Sequence, residues 1–435
     1  MKEHPVLGHV ALGYSPMLDR QRAVVATRVT VFPQPGQATP DGAGLLAALQ
    51  EVWPADAAAG DIQLTLRPLH PAAAPAPASA PARGAAAASV ARPMAHPVAL
   101  NITGEALLRA VLDARPPPHL MIEVPAFMAT DAAHADTLRS LRQAGSVLLI
   151  KGRPLVPVQP EVLACFSHSI VELGEERRRG PAPAPGVRQV TTVQAGTRTS
   201  ADVEQAFQRG AVAALGWPFD DPLPAAGSRS NVPTDLQVVM ELIQGVNQEL
   251  PVARLDSMLK RDPTLAFRLL RYLNSPAFGL SAEITSFSHA IMMLGYQRLK
   301  RWLALLLATS SKSANAKPLM HAAVRRGLML EELARSNGDD EMRGEMFFCG
   351  VFSLLDRLLQ QPFPELLVNL PVPERVRQTL LGEGGPYTPY LDLVRAIEQE
   401  SVFDIRECAD KLLLGPAEVN RALLVALRGA RQLDG

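Results

Sequence analysis

The chain has 435 residues, 47% of them hydrophobic, and 43 Lys and Arg balance 43 Asp and Glu to a formal net charge of +0. That length predicts two or three domains with real cores, and the charge balance gives no argument for a nucleic-acid partner or an anionic membrane surface. Cys165, Cys349 and Cys408 lie far apart with no CxxC pair, which argues against a disulfide framework and fits a reducing cytosol. The opening segment lacks the long apolar stretch of a signal peptide. The longest uncharged apolar runs, such as Trp302 to Ala308, are too short to span a bilayer. A soluble cytoplasmic protein without membrane insertion is expected.

Residues 6 to 32 predict two short strands, Val6 to Tyr14 and Ala23 to Phe32, joined by a polar turn. Asp41 to Trp53 then predicts a helix, and Asp61 to Leu69 alternates as a strand with Ile62, Leu64 and Leu66 on one side. Pro71 to Ala91 is nearly all Ala and Pro. Such a stretch cannot bury enough apolar surface to offset its ordering entropy, and it reads as a disordered or extended insert. Beyond it strands and helices alternate. The strands are Val98 to Ile102, Leu120 to Val124, Val147 to Ile150, Ser169 to Leu173, Val187 to Val193 and Val212 to Leu215. The helices are Gly104 to Ala114, Ala132 to Ala144, a short Pro160 to Phe166, and Ser200 to Arg209. Strand–helix alternation over this many repeats predicts a parallel sheet closed into a barrel.

From Leu255 onward the apolar spacing is helical. Asp262-Pro263 opens a helix, with Asp to accept orphan N–H groups and Pro at a position where no bond is lost. Leu265, Leu269, Leu270 and Leu273 share its face, and Asn274-Ser275-Pro276 closes it. A further helix carries Ala290, Ile291 and Leu294, and Gly295 breaks it. Later segments, Leu319 to Arg335, Glu345 to Gln360, Pro362 to Leu370, Pro373 to Leu381, Tyr390 to Glu400, Ile405 to Leu413 and Pro416 to Gly429, complete a compact helical bundle.

Asp262-Pro263, Leu269-Leu270, Asn274-Ser275-Pro276 with Phe278-Gly279, and Ala290-Ile291 followed by Leu294-Gly295 stand in the order and spacing of the HDOD domain, which this stretch resembles. That family is an all-helical relative of the HD phosphohydrolases, and its members are read as signalling or output modules. The likeness covers roughly residues 226 to 435.

The N-terminal half, roughly residues 5 to 222, is more diffusely similar to the EAL domain. The resemblance rests on Tyr14-Ser15-Pro16 with Asp19 and Val24-Val25-Ala26, on Leu100-Asn101-Ile102, on Ile122-Glu123-Val124, and on Leu215-Gly216-Trp217-Pro218-Phe219. The family is a (β/α) barrel whose active members hydrolyse cyclic di-GMP. Together the likenesses imply a multidomain chain, a degenerate EAL-like barrel at 1–225 fused to an all-α HDOD bundle at 226–435.

Metal-assisted phosphodiester cleavage needs several carboxylates converging on divalent cations, placed in a barrel at the C-terminal ends of strands. Only Glu123 and Glu172 are acidic residues embedded in apolar strand runs. The glutamate of the family's name motif falls at Arg28, its Asp pair at Lys151-Gly152, its later acidic elements near Gln194-Ala195-Gly196 and Thr197-Arg198-Thr199, and its Gln at Leu215. Asn101 and Glu123 match metal-ligand positions, either as a remnant ligand site or as polar, hydrogen-bonded strand-end residues. In the bundle, the His-Asp pair of active HD enzymes falls at Ser353 and Leu354. Only His289 and His321 remain among histidines after residue 226: His289 reads as a capping or partly buried residue, and His321 as surface. Cys349, in an apolar run, reads as a buried small hydrophobe, and the mixed-sign run Glu175 to Arg179 as a solvated turn.

The resemblance thus implies a non-enzymatic signal transduction protein with no catalytic, cofactor or metal residues, acting on other signalling proteins and able to form homo-oligomers. Two alternatives stay open: a receptor that binds cyclic di-GMP without cleaving it, and a residual phosphodiesterase.

Overall fold

A computed structural model describes residues 2–34, 41–54, 97–176, 190–223, 234–259, 316–335, 339–369 and 372–433, with 295–297, 299–301, 303–304 and 306–307 between them. The expected strand at Asp61 to Leu69, the Ala/Pro insert, the Glu175 to Arg179 turn beyond Glu176, His289, and all HDOD signature residues except Gly295 lie outside them.

Eight strands close into a barrel: β1 (Val10–Leu18), β2 (Val24–Pro33), β3 (Val98–Ile102), β4 (Leu120–Pro125), β5 (Val147–Lys151), β6 (Phe166–Glu172), β7 (Thr191–Ala195) and β8 (Ala213–Leu215). β1 runs antiparallel to both β2 and β8, and every other pair is parallel. The turn after β1 is fixed by Asp19, whose carboxylate accepts from the Ala23 amide at 2.8 Å. Where the barrel closes, the Gly216 amide donates to the Pro16 carbonyl and the Trp217 indole N–H to the Tyr14 carbonyl. Gly216 has φ +141°, and a Cβ there would lie 2.3 Å from the Thr197 carbonyl, so only glycine fits.

Period-two alternation sorts the strand residues. Met17, Ala26, Ala99, Met121, Leu149, Ile170, Val193 and Ala213 fill the barrel interior as an apolar cluster. Their neighbours two residues on toward the C-terminal end are Arg28, Asn101, Glu123, Lys151 and Glu172. The barrel therefore carries a polar layer above an apolar one.

Some boundaries differ from expectation. Pro5 to Gly8 forms a short 3-10 turn and β1 starts only at Val10. The helix at Pro160 ends at Leu163, because Phe166 is taken into β6 and pairs with Leu148. β7 lies two residues beyond the expected end of its strand, at Ala195. The segment Glu345 to Gln360 is not one helix: the helix Asp340–Phe352 stops at Ser353, whose hydroxyl donates back to the Gly350 carbonyl at 2.7 Å, and a separate Leu355–Leu359 turn follows. His321 is half-buried rather than on the surface, on a helix whose neighbours Arg325 and Arg326 are buried. Gly295 has φ +72°, a left-handed conformation that suits a helix boundary.

The C-terminal half is built of helices joined by short turns, with no strand among its described residues, and it is docked on the barrel. The last helix, Pro416–Leu433, carries the buried Asn420. Its side-chain amide donates to the Leu7 and Val10 carbonyls at 2.8 Å each and accepts from the Leu12 amide at 3.0 Å. One side chain thus completes the backbone pairing at the start of β1. Asn420→Ala leaves three buried backbone groups unpaired and is expected to cost about 2–4 kcal/mol. Urea denaturation of the full chain measures this; a loss below 1 kcal/mol would mean that water or rearrangement replaces these bonds.

Candidate functional site

The polar layer of the barrel is organised by one cation. Arg28, 4% exposed, reaches from β2 to Glu123 on β4, 1% exposed. Its Nε donates to Oε1 and its Nη2 to Oε2, both at 2.8 Å. This is the bidentate fork that guanidinium and carboxylate geometries favour. Burial pushes the Arg28 guanidinium down, but Glu123 and then Glu400 outweigh it and hold it above its ordinary value. Beside this pair, Lys151 Nζ donates to Asn101 Oδ1 at 2.9 Å, and Asn101 Nδ2 donates to the Thr30 hydroxyl at 3.1 Å. Burial, and then the Arg28 charge, lower the Lys151 pKa. Glu172 completes the layer, its carboxyl raised above the ordinary value by burial against the opposing pull of Arg28 and Lys151.

The two basic residues thus meet the two positions that resemble metal ligands. Arg28 takes both oxygens of Glu123, and Lys151 takes the oxygen of Asn101. This donor set does not fit a divalent cation, which needs several free oxygen ligands and would face a guanidinium at hydrogen-bond distance. Among the described residues no group of three His, Cys, Asp or Glu side chains could hold a metal ion. Of the other positions singled out by sequence, Gln194 donates to the Val171 carbonyl at 2.8 Å and Leu215 packs in the barrel interior.

A second buried cation lies across the mouth of the barrel. Arg326, 4% exposed, sits on the helix Ala316–Leu333 and donates to Glu398 through Nε at 2.9 Å and Nη2 at 2.6 Å. Its Nη1 donates to the Ser353 hydroxyl at 2.9 Å. Burial opposes the Arg326 charge, and Glu398 more than restores it. Tyr14 of β1 donates to the same Glu398 at 3.4 Å, and burial, followed by that carboxylate, raises its hydroxyl well above the ordinary value. Ser353, at the position of the HD pair, is therefore an acceptor for Arg326. Leu354 is buried beside it.

Between the two centres is a cleft of about 460 Å³. Ser15, Arg28 and Trp217 line it from the barrel, and Arg326, Ser353 and Glu400 from the helices. Neither Arg326 nor the Glu398–Glu400 pair is prominent by motif. The available signal was a basic residue within an apolar face: Ala322, Ala323, Met329 and Leu330 surround Arg326 at helical spacing and are all buried. Cys349 is fully buried, and burial pushes its thiol up to about 12, which removes it as a nucleophile at neutral pH.

The fold is therefore an eight-stranded barrel followed by a helical region that contains an HDOD domain, the family that matches residues 232–364. The helices after 364, which the sequence reading assigns to the same domain, lie outside that match. The chain is 27% identical over 308 residues to the uncharacterized protein YuxH of Bacillus subtilis, covering 68% of this chain and 75% of that one. It is 26% identical over 198 residues to the cyclic di-GMP phosphodiesterase CdgJ of Vibrio cholerae, covering 45% of this chain and 46% of that one. A solved structure titled PaMucR Phosphodiesterase, c-di-GMP complex, overlaps 50% of this chain and 93% of its own with 16% identity and a TM-score of 0.30, an overlap too loose to bear on function. No helix among the described residues is long and apolar enough to cross a membrane.

Breaking the Arg28–Glu123 pair from one side leaves a buried charge alone. Glu123→Met and Arg28→Met are each expected to cost about 3–5 kcal/mol, and the double variant much less than the two single changes summed. Denaturant melts of the four proteins measure the coupling, and additive losses would show that the pair is not a unit. Glu172 titrates in the opposite sense to a paired carboxylate. Its folded pKa is raised above 4.5, so its protonated form favours folding and that contribution is lost as pH rises through the folded value. Glu172→Gln is therefore expected to be more stable than the parent at pH 7, with the advantage gone below about pH 4. An equal advantage at both pH values would overturn this assignment.

Proposed function

We propose that the chain acts in cyclic di-GMP signalling as a regulatory protein that does not itself cleave the nucleotide. The HDOD match and the name of one relative, CdgJ, support the signalling context. The observation that carries the non-catalytic part is the bidentate Arg28–Glu123 pair, two bonds of 2.8 Å that consume the carboxylate a metal would need. On this reading the barrel is a sensing or docking platform and the helical half is the output surface that meets other signalling proteins. A ligand or partner would act by favouring one arrangement of the two halves.

CdgJ is named as a phosphodiesterase, so hydrolysis is the reading to test first. The full chain incubated with cyclic di-GMP and Mg²⁺ or Mn²⁺ is expected to give no turnover. Turnover that disappears in Glu123→Ala would overturn the non-catalytic reading. A second reading, binding without cleavage, is favoured by the 460 Å³ cleft, a size that suits small-molecule ligands. Calorimetric titration with cyclic di-GMP separates the two: micromolar binding lost when the cleft is altered would make the barrel a receptor and exclude a pure scaffold.

A further inference from the structure

Two carboxylates stand where the helices Thr388–Glu398 and Val402–Lys411 meet, Glu398 at the end of the first helix and Glu400 in the turn that follows. Glu398 is held by the bidentate Arg326 of the helical half and also accepts a longer bond, 3.4 Å, from Tyr14 of β1. Glu400, two residues on, points the other way and enters the barrel mouth. Its Oε1 accepts from the Ser15 hydroxyl at 2.8 Å and its Oε2 from Arg28 Nη1 at 3.4 Å.

Three further features belong to this contact. Glu400 has φ +55°, the left-handed conformation that ends a helix, and the Ser401 amide closes that end on the Ala396 carbonyl at 3.1 Å. Gly13 of β1 leaves the space the turn occupies: a Cβ there would lie 3.1 Å from both Glu400 Cγ and the Ile397 carbonyl. Ser401 caps the next helix, its hydroxyl bonded to the Asp404 carboxylate at 2.5 Å, which fixes the exit of the turn.

We propose that this turn is a charge-held latch. Glu400 is a resident carboxylate on an oxyanion site made by Ser15 and Arg28, and the short spacing to Glu398 ties that site to the Arg326–Ser353 centre of the helical half. An external carboxylate or phosphate that reaches Arg28 must lift Glu400, and lifting it moves the segment that anchors Arg326. The inference rests on the reading of the barrel as a sensing platform and supplies its means of control.

Hydrogen exchange read by mass spectrometry on the full chain tests it. Glu400→Gln keeps the shape of the side chain and removes its charge. It is expected to speed exchange in residues 397–401 about tenfold or more, with no change in the barrel helix Ala132–Gln143. Gly13→Ala, which crowds the turn without touching a charge, is expected to speed exchange in the same segment. Parent-like exchange in Glu400→Gln would mean that packing and not charge holds the turn, and would overturn the latch. So would equal acceleration in 397–401 and in Ala132–Gln143, which is global loosening. A hydrolysis assay on Glu400→Gln keeps the two proposals apart. Turnover with local opening sinks the non-catalytic reading and leaves the latch standing. No turnover with parent-like exchange sinks the latch alone.

Discussion

The arrangement depends on one buried guanidinium. Arg28 lies inside a barrel where a lone charge would be prohibitively costly, and it is tolerated because Glu123 takes two of its donors and Glu400 faces a third. The constraint runs outward from there. Because Glu123 is spent on Arg28, the polar layer has to satisfy itself from within, with Lys151 on Asn101 and Asn101 on Thr30. Because Glu400 comes from the helical half, the barrel mouth is complete only when that half is in place.

The same device appears twice. In the barrel, an arginine occupies the neighbourhood of a carboxylate that resembles a metal ligand. In the helical half, Arg326 occupies the neighbourhood of Ser353, at the position that resembles the HD pair. Each guanidinium is held by a bidentate glutamate, and a single turn supplies Glu398 to one centre and Glu400 to the other. A fixed cation on a side chain can hold carboxylates together as a metal would, but it offers no open coordination position and activates no water.

Much of this was legible in the sequence because strand periodicity is strict. Residues two apart on a strand face the same way, so Arg28, Asn101, Glu123 and Lys151 share the face of Ala26, Ala99, Met121 and Leu149; that acidic positions have become basic is what the EAL resemblance implies. Helix starts at Asp41 and Asp131 agree with expectation, whereas the helix expected from Glu345 begins at Asp340, capped by Asp339. What the sequence did not reveal is long-range. Nothing local says that Asn420 completes the backbone of β1 or that Glu400 meets Ser15, because these partners are separated by nearly the whole chain and obey no period. The break at Ser353 was missed for a related reason. Its hydroxyl turns back on the Gly350 carbonyl and also receives Arg326, a tertiary contact that the apolar periodicity of the segment does not register.

The bidentate hold of Arg28 on Glu123 leaves that carboxylate no free oxygen for a metal ion. Calorimetric titration of the full chain with Mn²⁺ addresses it directly. No binding in the barrel is expected, for the parent and for Glu123→Gln alike. Stoichiometric Mn²⁺ binding by the parent that is lost in Glu123→Gln would contradict it.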